Sequence, residues 1–142
     1  MFTINKATPG QISRLFYLVL FCAIHQAPLQ NCVYRTPKGK MIFGEQLRKY
    51  LFKWFRNNKI PQTIKRQLMH GWGAQEIDKI LRRKGFRGYE YKHYILNNIT
   101  SEEASACIEE LNERHQKIKD GLQLKEGFAK KRKAFSAQLQ VN

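Results

Sequence analysis

Glu45-Gln46-Leu47-Arg48-Lys49-Tyr50-Leu51-Phe52-Lys53-Trp54-Phe55-Arg56-Asn57 is the stretch that decides the fold class. Leu47, Tyr50, Leu51 and Trp54 recur at i, i+3, i+4 and i+7, the spacing of one helical face. Lys49, Lys53 and Arg56 recur at i, i+4 and i+7 on a different face. The segment is therefore read as an amphipathic helix with an apolar stripe and a cationic flank. On this spacing Tyr50 and Trp54 belong to the core, and Phe52 and Phe55 form a second buried face. Asn57-Asn58 ends the helix.

Working outward on the N-terminal side, Cys32-Val33-Tyr34-Arg35-Thr36 and Met41-Ile42-Phe43-Gly44 flank Pro37-Lys38-Gly39-Lys40. Two β-prone runs around a Pro/Gly turn predict a hairpin near residues 32–43. A lone hairpin is marginal, so it must pack on the helices. Its tip presents Arg35, Lys38 and Lys40. Further upstream, Thr8-Pro9 reads as a helix start, with Thr as N-cap and Pro at the first helical position. That helix runs to about His25 and stops before Pro28. Its centre, Leu15-Phe16-Tyr17-Leu18-Val19-Leu20-Phe21-Cys22-Ala23-Ile24, is apolar on nearly every side and is expected to be buried centrally.

On the C-terminal side, Pro61 opens a helix to about His70, Gly71-Trp72-Gly73 reads as a turn, and residues 74–84 form the next helix. Gly85 is placed for a left-handed C-cap, with Phe86 as the apolar contact beyond it. Residues 88–98 fit strand alternation and helical spacing alike and are assigned to helix. Thr100-Ser101-Glu102-Glu103 is a capping box. The helix it opens carries Ala104, Cys107, Ile108 and Leu111 on one side and is expected to end near Lys119, before Gly121. The predicted fold is mainly α: a compact bundle of five or six helices, with the hairpin and a basic C-terminal tail. Residues 1–120 form one nucleic-acid-binding domain, and residues 121–142 a tail, either a frayed helix or disordered.

Charge supplies the functional reading. The first hundred residues hold eighteen Lys or Arg against four acids (Glu45, Glu76, Asp78 and Glu90), so they carry about +14 of the chain's +15. A folded domain this basic repels itself, and a polyanion relieves that repulsion. Nucleic acid is the usual polyanion, and neutralising its phosphates releases counterions. The phosphate-holding residues expected are Lys49, Lys53 and Arg56, with Arg82, Arg83, Lys84, Arg87 and Lys92. Lys38, Lys40, Lys130, Lys131, Arg132 and Lys133 extend the track. Tyr89 and Tyr91 are the stacking candidates. Few side chains suited to reading base edges are present, so weak sequence preference is expected. The partner is DNA or RNA, or a host or phage nucleoprotein complex.

Two resemblances add context. Leu68-x-x-Gly71-x-Gly73-x-x-Glu76-Ile77-x-x-Ile80-Leu81, ending in Gly85-Phe86, resembles the first two helices of helix-turn-helix domains. That resemblance implies a recognition helix over residues 88–97, offering Tyr89, Lys92 and His93 to a groove. Separately, Ala7-Thr8-Pro9-Gly10-Gln11 and Ile99-Thr100-Ser101-Glu102-Glu103-Ala104-Ser105, continuing through Ile108-Glu109-Glu110-Leu111, resemble a bracket in small phage and mobile-element proteins related to the Mu-type regulatory protein GemA. It covers about 25 of 142 residues. The chain departs from that pattern in its longer basic insert and in Ile99 where Leu is usual. The resemblance implies a phage or mobile-element setting in DNA metabolism and transfers no catalytic residue. It also pairs two helices capped by Thr8 and Thr100.

Other chemistries are poorly served. Cys22-x-x-His25 with Cys32 offers three ligands but no second pair for a zinc site. Glu76 and Asp78 lie on different sides of a helix, and the later acids read as a solvated flank, so no clustered carboxylates for two-metal chemistry are expected. No phosphate-cradling loop or glycine fingerprint is present. The expectation is a non-enzymatic protein without cofactor or metal. Three irregularly spaced cysteines and a start without a basic-then-apolar leader predict a reducing, cytoplasmic setting in a bacterial host, with no membrane partner. The apolar run at residues 15–24 is about half a membrane span. The main rival is a protein-interaction module that inhibits or remodels a host nucleoprotein, by analogy with anti-CRISPR inhibitors.

Overall fold

A computed structural model describes the backbone of residues 5–86 and 98–141, with side chains to residue 124. Its elements are α1 (Pro9–Gln26), β1 (Val33–Arg35), β2 (Met41–Phe43), α2 (Gly44–Arg56), α3 (Gln62–Leu68), a π-helical turn (Met69–Gly73), α4 (Ala74–Arg83) and α5 (Ser101–Val141). The mainly helical class with a two-stranded antiparallel sheet is as expected. The helix count is not. Leu68, Met69, Gly73 and Ala74 all keep right-handed helical dihedrals, so α3, the π turn and α4 form one uninterrupted rod. Among the described residues there are four rods, not five or six helices.

That rod corrects the helix-turn-helix expectation. Gly71-Trp72-Gly73 widens the helix instead of reversing the chain. A π turn inserts a residue and rotates the buried face. Ile64 and Leu68 thus point into one core cluster, while Met69, Ala74, Ile77, Ile80 and Leu81 point into another. Gly73 is at the contact with α1: a Cβ there would lie 2.6 Å from Val19 Cγ1. The expected recognition helix, residues 88–97, lies outside the described residues.

Helix α1 joins the two clusters. Its middle (Leu15, Leu18, Val19, Phe21, Cys22) packs with α4 and α5, and its last turns (Ala23, Ile24) pack with the hairpin, α2 and α3. It is central, as its composition predicts, but not buried all round, since Phe16 and Tyr17 are about two-fifths exposed.

The starts of α1 and α5 are tied to each other. Thr8 Oγ1 accepts the Gln11 amide N–H, and Gln11 Oε1 accepts the Thr8 N–H. Thr100 and Glu103 make the same reciprocal pair. Gln11 also donates to Ser101 O and Ser105 Oγ of α5. A short antiparallel bridge, with Ala7 N–H donating to Ile99 O and Ser101 N–H to Asn5 O, aligns the two starts. Arg14 donates to Asn112 further along, so the helices run parallel.

In the hairpin, Val33, Tyr34 and Arg35 pair with Phe43, Ile42 and Met41. Gly39 donates to Thr36 O, and Thr36 N–H to Lys40 O, closing the turn. The Gln67 side-chain amide donates to Val33 O and accepts from Val33 N–H, covering one strand edge from α3.

The expected helix stops at Asn57-Asn58 and Gly85 hold. Gly85 adopts φ +84°, and Phe86 and Gly85 donate to Leu81 O and Arg82 O, the Schellman pattern. Asn58, at φ 54°, ends α2 the same way, with Lys59 donating to Trp54 O. The expected stop near Lys119 does not hold, since α5 continues through Gly121 to Val141. A glycine costs a helix about 1 kcal/mol but ends it only when it leaves the helical region.

Candidate nucleic-acid interface

The cations separate into two groups by their surroundings. At the α4–α5 contact they meet carboxylates. Arg82 Nε lies 2.9 Å from Asp78, Arg83 lies 2.7 Å from Glu110, and Lys84 donates to Ala106 O at 2.9 Å with Glu109 at 4.0 Å. Arg114 bridges Glu76 at 2.9 Å and Glu110 at 3.5 Å. Burial alone would lower its pKa, but the hydrogen bond and charge of Glu76, with Glu110, raise it. The acids of α5 are therefore not simply a solvated flank: Glu103 is buried in its capping box and Glu110 faces two arginines. Arg82, Arg83 and Lys84, expected to hold phosphates, already have these partners.

The second group occupies the hairpin, α2 and α3. Residues 32–68 contain ten Lys or Arg and one acid, Glu45. That acid is held by Arg48, whose guanidinium also donates to Ile24 O at 2.5 Å and Ala27 O at 2.7 Å. Arg48 thus caps the carbonyl end of α1 and is structural. Lys49, Lys53 and Arg56 are exposed. Among the described residues none of them has a carboxylate within salt-bridge distance. Lys38 and Lys40 sit exposed at the hairpin tip. Lys59, Lys65 and Arg66 join this surface. Sequence spacing did not single them out, because they fall between helices or on a short one.

Aromatic rings border the cationic stripe on both sides. Tyr50 lies about 60° round α2 from Lys53. It is 40% exposed, which corrects its expected place in the core. It packs on Trp54 at 5.4 Å, and Trp54 meets Tyr34 edge-on at 5.2 Å. On the other side Phe52 and Phe55 are half-buried as a second face, Phe52 against His25 and Phe55 against Tyr17 and Phe21. Met41 and Phe43 are exposed on the outer face of the hairpin.

The remaining candidates resolve as packing. His25 packs at a tilt between Phe21 and Phe52, and His115 packs at a tilt on Phe21 at 4.3 Å. Burial pushes both imidazoles below their ordinary pKa, helped by Arg48 at His25 and by Lys119 and Arg14 at His115. Cys22, Cys32 and Cys107 are buried, and burial raises their thiols, Cys22 to about 11 and Cys107 to about 12. They behave as small apolar groups. Among the described residues no three His, Cys, Asp or Glu side chains group as metal ligands, and no helix is long and apolar enough to cross a membrane. Arg87, Tyr89, Tyr91 and Lys92, and the side chains of Lys130, Lys131, Arg132 and Lys133, lie outside the described residues.

No protein-family model, no curated protein and no solved structure matches this chain. The class rests on the fold itself, a mainly helical chain with one small antiparallel hairpin.

Proposed function

We propose that this chain is a non-enzymatic, largely sequence-nonspecific nucleic-acid-binding protein whose contact surface is formed by the hairpin, α2 and α3. One observation carries the reading: ten cations against one acid in residues 32–68, with Lys49, Lys53 and Arg56 unpaired among the described residues, whereas Arg82, Arg83 and Arg114 are ion-paired. Phosphates neutralise such a stripe and release counterions. The rings of Tyr50, Trp54 and Tyr34 beside it suit bases or sugars. Lys38 and Lys40 extend the track. Arg87, Tyr89, Tyr91, Lys92 and the Lys130–Lys133 run are further contacts in this reading. The bracket at residues 7–15 and 99–111 favours a phage or mobile-element setting, within a bacterial cytoplasm.

The test is binding of the protein to short DNA and RNA over a salt series, with Lys53→Glu combined with Arg56→Glu. The double variant should bind every sequence more weakly while melting like the wild type. Unchanged affinity would sink the site assignment. A second reading, a protein partner, draws on exposed Met41 and Phe43 beside the same cations. It would be favoured if the wild type bound no nucleic acid at low salt.

A further inference from the structure

A groove of about 430 Å³ opens where α1, the end of α2 and the start of α3 meet. Tyr17 and Phe55 supply ring surface, with centroids 5.7 Å apart and planes at 38°. Leu20 and the buried Ile60 add aliphatic lining, and Arg56 and Lys65 contribute cations. No acid lines it. Arg14 lies over the Tyr17 ring at 5.4 Å and adds a third positive charge at the α1 edge. Tyr17 is 39% exposed although it touches Phe21, Phe55 and His115, so packing holds its ring in place while leaving much of it open.

We infer that this groove is a slot for one unpaired nucleotide of a single-stranded nucleic acid. The inference rests on the nucleic-acid reading above and narrows it from a phosphate-seeking surface to a base-receiving one. A nucleotide combines a flat apolar base with an anionic phosphate, and the slot offers the complementary set: ring and aliphatic surface inside, Arg56 and Lys65 beside it. Arg56 is also the last cation of the α2 stripe. A strand whose phosphates follow Lys49, Lys53 and Arg56 therefore arrives at the slot. A base within a duplex is stacked and paired, and has no free face to offer to Tyr17. The slot accordingly selects single strands, by stacking and not by base identity.

The test compares a short oligothymidylate with an abasic strand of the same length and charge, as DNA and as RNA, against the wild type, Tyr17→Phe and Tyr17→Leu. Stacking on aromatic side chains is worth about 1–3 kcal/mol per base. The wild type should therefore prefer the base-bearing strand by roughly 5- to 150-fold. Tyr17→Phe should keep that preference. Tyr17→Leu, which retains apolar bulk without a ring, should lose most of it with little change in affinity for the abasic strand. Photo-crosslinking of a 5-iodouracil strand to wild-type protein should map to Tyr17 or Phe55, a readout independent of whether any variant folds. Equal wild-type affinity for base-bearing and abasic strands, or crosslinks only elsewhere, would overturn the slot and leave the phosphate track standing. Failure to bind either strand at low salt would overturn both. The DNA and RNA arms decide which strand the slot accepts.

Discussion

Arg83 and Lys53 are both exposed cations on helices of one small fold, yet their surroundings differ. Around Arg83, α4 and α5 place Glu110, and neighbouring Arg82 and Arg114 have Asp78 and Glu76. Around Lys53, the hairpin, α2 and α3 place further cations and one acid already held by Arg48. Side-chain exposure does not separate the groups, since Arg82 and Arg83 are 60% and 59% exposed. Carboxylate supply does. In one region charge is used to join two helices. In the other it is left without a further carboxylate among the described residues, which the proposed function reads as a place for a polyanion.

The largest effect expected from breaking this contrast is on the paired side. Arg114→Ala removes the cation shared by Glu76 and Glu110 in a partly buried contact, leaving them Lys79 and Arg83, and should cost about 2 kcal/mol, read as a lower denaturation midpoint. On the unpaired side, Lys53→Glu with Arg56→Glu should lower nucleic-acid affinity roughly 10- to 100-fold and reduce the salt slope by about two, with stability unchanged. Arg82→Glu with Arg83→Glu should show the reverse pattern, losing stability more than affinity. If both double variants lose affinity equally, the division between regions fails.

A third expectation concerns the joint between the regions. Gly73→Ala forces a Cβ against Val19 and against Leu68 O at 3.1 Å, so it should destabilise by about 1–2 kcal/mol. No loss would mean that the π turn relaxes freely. The smallest effect is on pH. His25 and His115 have folded pKa values below the ordinary 6.5. The unfolded chain therefore binds more protons as pH falls. Their contribution to stability is full above about pH 6.5 and is lost as pH drops through the lower folded values. Denaturation midpoints measured between about pH 7 and 5 should decline, and His25→Phe with His115→Phe should flatten that decline.

What was legible in the sequence is mostly local. Thr8 with Gln11, Thr100 with Glu103, Gly85 with Phe86, and Asn57-Asn58 are signals whose partners lie within a few residues, and the backbone follows them. The α2 cation stripe is set by helical spacing alone. Of the long-range contacts, only the pairing of the helices capped by Thr8 and Thr100 was legible, through the bracket they share. Nothing near Arg82–Lys84 announces that residues 106–110 will meet them, nor that Arg48 will cap α1. Tyr50 has the spacing of a core residue, but it sits at the edge of the stripe, where Trp54 covers it only in part. Tyr17 lies in an apolar run, so exposure there depends on which helices arrive beside it. The π turn at Met69–Gly73 reads as a glycine turn because glycine permits both, and contact with Val19 selects the helical form.

The shared cap at the starts of α1 and α5 has a consequence for synthesis. Gln11 completes its bonds only with Ser101 and Ser105, 90 or more residues later in the chain. At ribosomal rates of about 5–20 residues per second, that interval is on the order of 5–20 s. Throughout it, the most apolar helix of the protein waits without its main packing partner. The contacts that close the fold are among the last to become available, so the nascent chain must hold α1 against its hairpin-side neighbours until α5 emerges.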